Sequence, residues 1–509
     1  MSTAAASANR ADNLVVLAAI CMAALVLPLD FSGAAAATPA IGRDFDGSPV
    51  MLAWVVNAFM LSFGSTLLTA GALADEFGRK RMFGLGVTAF TVVSVAMCFS
   101  RSLLTLDLLR AVQGLAAAAT LAGGSAALAQ EFEGPARTRA FSLLGTTFGA
   151  GLAFGPTLAG FLIDSLGWRA IFLSGALVGV IALLFGLPRM RETHNPQASG
   201  PDWPGAVSFT TALALFTAGM LEAPELGWRS LLVAGLLIVS AVAIAGFILI
   251  ELLVSRPMLN LSLFRYPRFV GVQVLPIATT FSYVVLLVLL PSRLIGIEGY
   301  REMDAGLIML ALSAPMLIVP FATALLTHWL SAGLLSFLGL IIAALGLLWL
   351  AGLPPGTPAS LLMPPMARTG FGAAMPWGLM DGLSISVVPT ARAGMATGIF
   401  STVRVAGEGI ALAIVRALLA AFTQTSLIGA IKDSPLRAKA SALAARMAAG
   451  DLPHAAALAL APQADTALLI RAYGDGFRDL LYVLALIVAL AGLVVLAILR
   501  RAPADANQG

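Results

Sequence analysis

Charge is what this chain has least of. Only 11% of its 509 residues are Asp, Glu, Lys or Arg, and 59% are hydrophobic. An ordinary soluble chain carries about 25% charged residues. A water-soluble globule this apolar could not cover its own surface with polar groups, so a bundle of membrane spans is expected instead. Cysteine is scarce too. Cys21 and Cys98 both fall inside apolar runs, which excludes a disulfide framework. The three histidines, His194, His328 and His454, are far apart and offer no metal-ligand spacing. No G-x-x-x-x-G-K-[ST] run is present, which argues against an ATP-driven pump. The chain reads as a non-enzyme without cofactor or metal. Its formal charge of +4 does not signal nucleic acid. The basic residues lie singly or in pairs at the ends of apolar runs, the pattern produced when Lys and Arg resist translocation.

The long apolar runs are what the chain does have. About 20 apolar residues cross the hydrocarbon core. On that rule fourteen spans are expected, from 14–37 at one end to 359–384, 394–422 and 478–500 at the other. Arg10, the first apolar run and Ala35-Ala36-Ala37 imitate a secretory signal, but the run is too long and contains Asp30. An uncleaved first span is expected. The short outer loops then hold Arg43, Arg101, Arg169, Arg229, Arg293 and Arg301. The opposite side holds more cations, among them Arg10, Arg79, Lys80, Arg81, Arg189, Arg191, Arg265, Arg268, Arg500 and Arg501. The imbalance places both termini in the cytoplasm, and the inner membrane is the expected location. The Ala-rich segment 424–477 falls outside. Its plain reading is a solvated excursion with amphipathic helices over 434–448 and 455–472. Its sharper reading is a docking surface for a periplasmic adaptor.

Several polar residues stand out because lipid is costly for them. Asp30 lies alone in the first span and should face the protein interior. An acid in apolar surroundings holds a proton more readily, which suits a proton carrier. The competing reading is a polar group bonded to neighbouring backbone. Arg110 and Gln113, with Gly114, share one face of the fourth span. Asp30 or Asp107 is the expected partner of Arg110. Glu408 follows Arg404 by four residues, so the two could pair within one helix. Otherwise Glu408 faces a cavity, there to take a proton or a cationic substrate. Gly151, Gly155, Pro156 and Gly160 would let the fifth span bend and pack closely, with or without directional meaning. Residues 71–81, GALADEFGRKR, place an acid, two glycines and three cations in a tight turn between spans. The glycines should let two helices meet closely there, and Asp75 should attract the N-terminus of a facing span.

That loop resembles the signature of the major facilitator superfamily, G-x-L-a-D-r-x-G-r-k, through Gly71, Leu73, Ala74, Asp75, Gly78, Arg79 and Lys80. Other runs resemble its 14-span drug:proton antiporters. Leu29, Asp30, Ser32 and Pro39 fit the first-span pattern, and Trp54, Phe59 and Leu61 fit the second. Arg110, Gln113 and Gly114 fit R-x-x-Q-G, and Gly151 to Gly160 fit the antiporter helix motif with Ala159 replacing a glycine. Residues 168–173 read WRAIFL, Pro257-Met258 precedes Leu263-Phe264-Arg265, and Gly394, Ala396, Gly398 and Arg404 fit the thirteenth span. The chain departs from the pattern at Ser174-Gly175, at Thr327-His328-Trp329 and at Glu408.

The resemblance implies an all-α integral membrane protein of 14 helices, two six-helix bundles around a central cavity with two extra central helices. The expected divisions are 1–188, 189–265 and 266–509. It implies a proton-coupled exporter of amphipathic, cationic or neutral, organic compounds working by alternating access. Proton coupling is expected of Asp30 and Arg110, and of Glu408 by its place in a span and not by the resemblance; gating is expected of Gly71, Asp75, Gly78, Arg79 and Lys80. Gln113 and Arg404 are further polar groups within the membrane. The partners are the substrate, protons, the lipid bilayer and a periplasmic adaptor. Export of an endogenous metabolite or siderophore is the alternative. A non-transporting receptor or scaffold fits less well, because a passive bundle has no need to bury Asp30, Arg110 and Glu408.

Overall fold

The computed structural model describes residues 3–45, 47–132, 134–194, 200–254, 257, 259–388, 393–431, 435–459 and 463–499. Met258, Arg500 and Arg501, used above, lie outside the described residues, as does residue 434 of the first expected amphipathic helix. The described residues are mostly helical, and no strand occurs among them. Thirteen of its helices are long and apolar enough to cross a membrane. The segment expected as the twelfth span, 359–384, forms a 28-residue helix with three internal prolines. Arg368 and Asp381 lie within it and make it more polar than the thirteen.

Helix ends follow local chemistry. Ser48 caps α2 (Pro49–Phe77) by accepting from Met51 N–H, with Pro49 preset for the first turn. Ser102 caps α4 (Leu103–Glu131) in the same way, accepting from Thr105 N–H. Gly78 breaks α2 from α3 (Arg79–Cys98) with φ +111, a conformation that favours glycine. Trp168 and Arg169 open α6 (Arg169–Ile181) by reaching Asp44 at the end of α1 (Thr3–Phe45). Trp168 Nε1 and Arg169 Nη1 both donate to its Oδ2, at 2.8 and 3.0 Å.

The chain divides into two compact units. The first holds Met1–Phe216 and Leu237–Met258, and the second holds Thr217–Leu236 and Leu259–Gly509. The helices α7 (Trp203–Leu226) and α8 (Leu231–Leu253) each contribute residues to both units. In the first unit α1 packs along α5 (Gly134–Leu166), and α4 lies between α2 and α3. The outer surface is apolar. Leu85, Val92, Leu104, Leu108 and Leu177 are exposed on it, and α8 exposes Ile238, Val239, Val242 and Leu249. Lipid is the solvent that such faces fit, and the protein is a multi-pass membrane protein.

In the second unit the ninth span is interrupted. It runs from Pro267 to Thr279 as α9, slips into a π-helical stretch at Thr280–Val284, recovers over α10 (Val285–Pro291) and slips again at Ser292–Ile297. Pro276 and Pro291 remove backbone donors beside both slips. The second slip carries Arg293, which is not in a loop as the charge pattern suggested. Its side chain is 1% exposed and pairs with Glu298, itself 2% exposed, at 2.7 Å. Arg293 also donates to Leu353 O at 3.1 Å and stacks over Phe477.

The segment 424–477 is not a solvated excursion. Its first residues extend α15, which runs Ala393–Ala430, well past the expected end of the span. Its last residues begin α18, which starts at Gln463 and ends at Leu499. Between them lie α16 (Ala440–Ala448) and α17 (Leu452–Ala459). Leu443, Ala444 and Met447 are buried against the unit, and Ser441 Oγ donates to Pro224 O. Gly450, at φ +78, backs onto the Ser292 carbonyl, so this cap covers the slipped end of the ninth span. The apolar faces of short Ala-rich helices have no reason to stay in water when such a surface is near. Arg293→Ala should therefore destabilise the protein by about 3–5 kcal/mol, because Glu298 would be left buried and unpaired. Replacing both by Met should recover most of it, read as thermal melting in detergent.

Candidate functional site

Arg110 is the centre of the site, and its own helix sets its place. Gly114, one turn on, leaves α4 so close to α2 that an added Cβ would collide with the Phe59 backbone. The guanidinium, 0% exposed, therefore reaches across α2, and its Nε donates to Val55 O at 2.8 Å. Its Nη1 donates to Asp30 Oδ2 on α1 and to Gln113 Oε1 on α4. Gln113 Nε2 donates in turn to Asp30 Oδ1 at 3.2 Å and to Ser94 Oγ on α3 at 2.9 Å. Phe59 lies 4.4 Å from the guanidinium carbon, and Phe172 of α6 lies 5.7 Å away. Four helices thus meet on one cation, and α3 joins through Gln113. Asp30, not Asp107, is the ion-pair partner. The network satisfies the acid as an ion, and protonating Asp30 would remove the charge that holds Arg110 there.

The antiporter helix motif packs against the same stretch of α1. A Cβ at Gly151 would meet Leu25 O and Pro28, and one at Gly155 would meet Ser32. Pro156 lies inside α5, and Gly160 is buried. Beside Asp30 is a small cleft of about 80 Å³ lined by Gly33 of α1, Gly155 and Ala159 of α5, and Ser174 and Gly175 of α6. Ligand sites measure about 300–1,000 Å³, so this cleft suits a few waters and not a drug. Ser174 and Gly175, which depart from the family pattern, line it.

The signature loop is built differently from the expectation. Asp75 accepts from Arg79 one turn later on the chain, at 2.8 Å. The N-terminus of α3 is served instead by Glu192, from the loop after α6. Its carboxylate accepts from Lys80 N–H at 3.2 Å and Arg81 N–H at 3.1 Å. Gly78, at φ +111, lies under the Glu192 carboxylate, which an added Cβ would push aside. The expected close approach at Gly71 is absent: a Cβ there would meet nothing within 4 Å. Sequence reasoning missed Glu192. The sign available was an acid standing at the end of the cationic run Arg189–Arg191.

In the second unit, Arg404 donates to Asp381 of α14 (Ala359–Ser386) at 3.3 Å. Asp381 was also missed, although it is a lone acid in an expected span, like Asp30. Glu408 is 7% exposed, and among the described residues its carboxylate makes no hydrogen bond and no ion pair. The static pair with Arg404 within one helix is therefore not formed.

A bundle of long apolar helices with an ion pair buried between α1 and α4 points to a membrane transporter. A family model described as Major Facilitator Superfamily matches residues 20–412, and the chain belongs to that family. It is 31% identical over 417 residues to the multidrug resistance protein Stp of Mycobacterium tuberculosis, covering 82% of this chain and 77% of that protein. It is 27% identical to the tetracenomycin C resistance and export protein of Streptomyces glaucescens over 82% of this chain and 77% of that one. The fold is similar to a bacterial homologue of the human lysosomal transporter Spinster, with TM-score 0.64 and 15% identity. That likeness covers 97% of this chain and 99% of the other.

The packing gives a graded prediction. Gly155→Val should lower the melting temperature and reduce transport severalfold, because α5 must leave α1 beside Asp30. Gly71→Ala should leave the melting temperature unchanged. Equal melting curves for both variants would contradict the packing.

Proposed function

We infer that the protein is a proton-coupled exporter of amphipathic organic compounds in the inner membrane, with both termini cytoplasmic, working by alternating access. The observation that carries this reading is the Asp30–Arg110 pair, 1% and 0% exposed within membrane helices. A fixed cation held by an acid that can take a proton is a switch whose two states differ by one charge. Burial makes the difference large, because neither state is screened by water. The names of relatives, a multidrug resistance protein and a tetracenomycin C resistance and export protein, support outward transport of organic compounds. One proton is enough for useful work. A charge crossing the membrane yields about 2.3 kcal/mol per 100 mV, which supports roughly a 50-fold gradient of a neutral compound.

The test uses the protein in liposomes with internal pH followed. Asp30→Asn should insert and bind substrate but release protons on substrate addition at least about 100-fold more slowly. Wild-type proton release from that variant would overturn the reading.

Glu408 bears on the substrate class. A buried carboxylate with no hydrogen bond, on a membrane helix, is suited to a cationic group of the substrate. Glu408→Gln should weaken transport of cationic compounds about tenfold and spare neutral ones of equal size. A uniform loss with a lowered melting temperature would show Glu408 to be structural.

A further inference from the structure

Asp107 is the acid that the network around Arg110 leaves out. It lies three residues before Arg110 on α4, so the two share a helix face one turn apart. Its Oδ1 is buried and makes no hydrogen bond. Arg110 Nη2 is also buried and makes no hydrogen bond, though Nε and Nη1 are fully engaged. Two orphaned groups of opposite kind on one helix turn are unusual, because each is costly alone and together they would satisfy one another. Arg110 is the charged group that acts on Asp107. The other groups packed about Arg110 are Asp30 of α1, Val55 O and Phe59 of α2, Gln113 of α4 and Phe172 of α6.

We propose that Asp107 is the alternate partner of Arg110 and relays the proton to Asp30. This rests on the proton-coupled reading above and adds a second acid to it. Arg110 carries one positive charge and stabilises one carboxylate at a time. In the arrangement seen here Arg110 pairs with Asp30, and Asp107 has no partner for its buried Oδ1, where a bound proton removes the cost of an unpaired buried charge. When Asp30 takes up a proton, Arg110 turns its free Nη2 to Asp107, which gives up one. The exchange balances: one proton leaves Asp107, one arrives on Asp30, the guanidinium keeps its own, and the net charge of the three groups is unchanged. Phe59, stacked at 4.4 Å, provides a face on which the guanidinium can turn without leaving a favourable contact. Asp107 is thus a positioning and relay group, and Asp30 remains the acid whose protonation frees α1 from α4.

The experiment compares Asp107→Asn, Asp107→Glu and Asp30→Asn with wild type in liposomes, measuring transport and substrate-driven proton release across pH. Asp107→Asn should lower kcat about tenfold with KM within about twofold, and flatten the pH profile. Asp107→Glu should restore both. Infrared spectra supply a readout that a structural role would not move. The difference spectrum, wild type minus Asp107→Asn, should show a carboxylic-acid C=O band beyond any that Glu408 contributes to both. Asp30→Asn should lack it too, because Arg110 then pairs with ionised Asp107. A wild-type pH profile and an intact acid band in Asp107→Asn would overturn the relay. If Asp30→Asn itself releases protons normally, the proton-coupled reading fails instead, which separates the two outcomes.

Discussion

A guanidinium cannot give up its charge, and Arg110 holds one where no water reaches. Everything near it in the first unit answers that constraint. Asp30 supplies the opposite charge from α1, Gln113 bridges the two side chains, Val55 lends a carbonyl from α2, and Phe59 and Phe172 cover the flat faces. Gly114 brings α4 near enough to α2 for the reach, while Gly151 and Gly155 hold α5 against the segment of α1 that carries Asp30. Remove the charge match and these helices lose their common anchor. The buried ion pair is thus a packing device as well as a charge match.

The remaining ionic contacts follow the same economy at helix ends. A chain with few charges places each where a backbone or a partner needs it. Glu192 meets the free N–H groups at the start of α3, and Asp75 neutralises Arg79 beside them. Asp44 ties the end of α1 to the start of α6. In the second unit Arg293 and Glu298 pair where proline has slipped the helix, under a cap of short Ala-rich helices. These contacts anchor the ends of spans whose middles are held chiefly by apolar packing.

Much of this was legible in the residues. A 59% hydrophobic chain has few ways to exist, and span length is set by the thickness of hydrocarbon, so the helices could be placed closely. Asp30, Arg110 and Gln113 were visible as a set because lipid makes lone polar groups conspicuous. Asp381 gave the same signal and was passed over. Glu192 and Arg293 were harder: loop charges read as topology signals, and nothing local says that one will fold back onto a helix end or be buried. The segment 424–477 misled because an Ala-rich polar mixture has the same composition whether it packs or floats.

Helical class, family and the acids and cations at stake were thus determined by the sequence alone, since each depends on composition or on residues near one another in the chain; of the fourteen expected spans, thirteen are long and apolar enough to cross a membrane among the described residues. The choice of partners was decided only by tertiary structure. Arg110 had Asp107 one turn away and took Asp30, 80 residues distant; Glu408 had Arg404 one turn away, and Arg404 took Asp381. For Arg404 the partner is a half-exposed acid on a neighbouring helix, 55% exposed; for Arg110 the physical reason is burial. Within a helix a pair one turn apart is always available but shares one side of one cylinder. Only the packing of several helices can enclose a charge on all sides and supply the further hydrogen bonds that its burial demands.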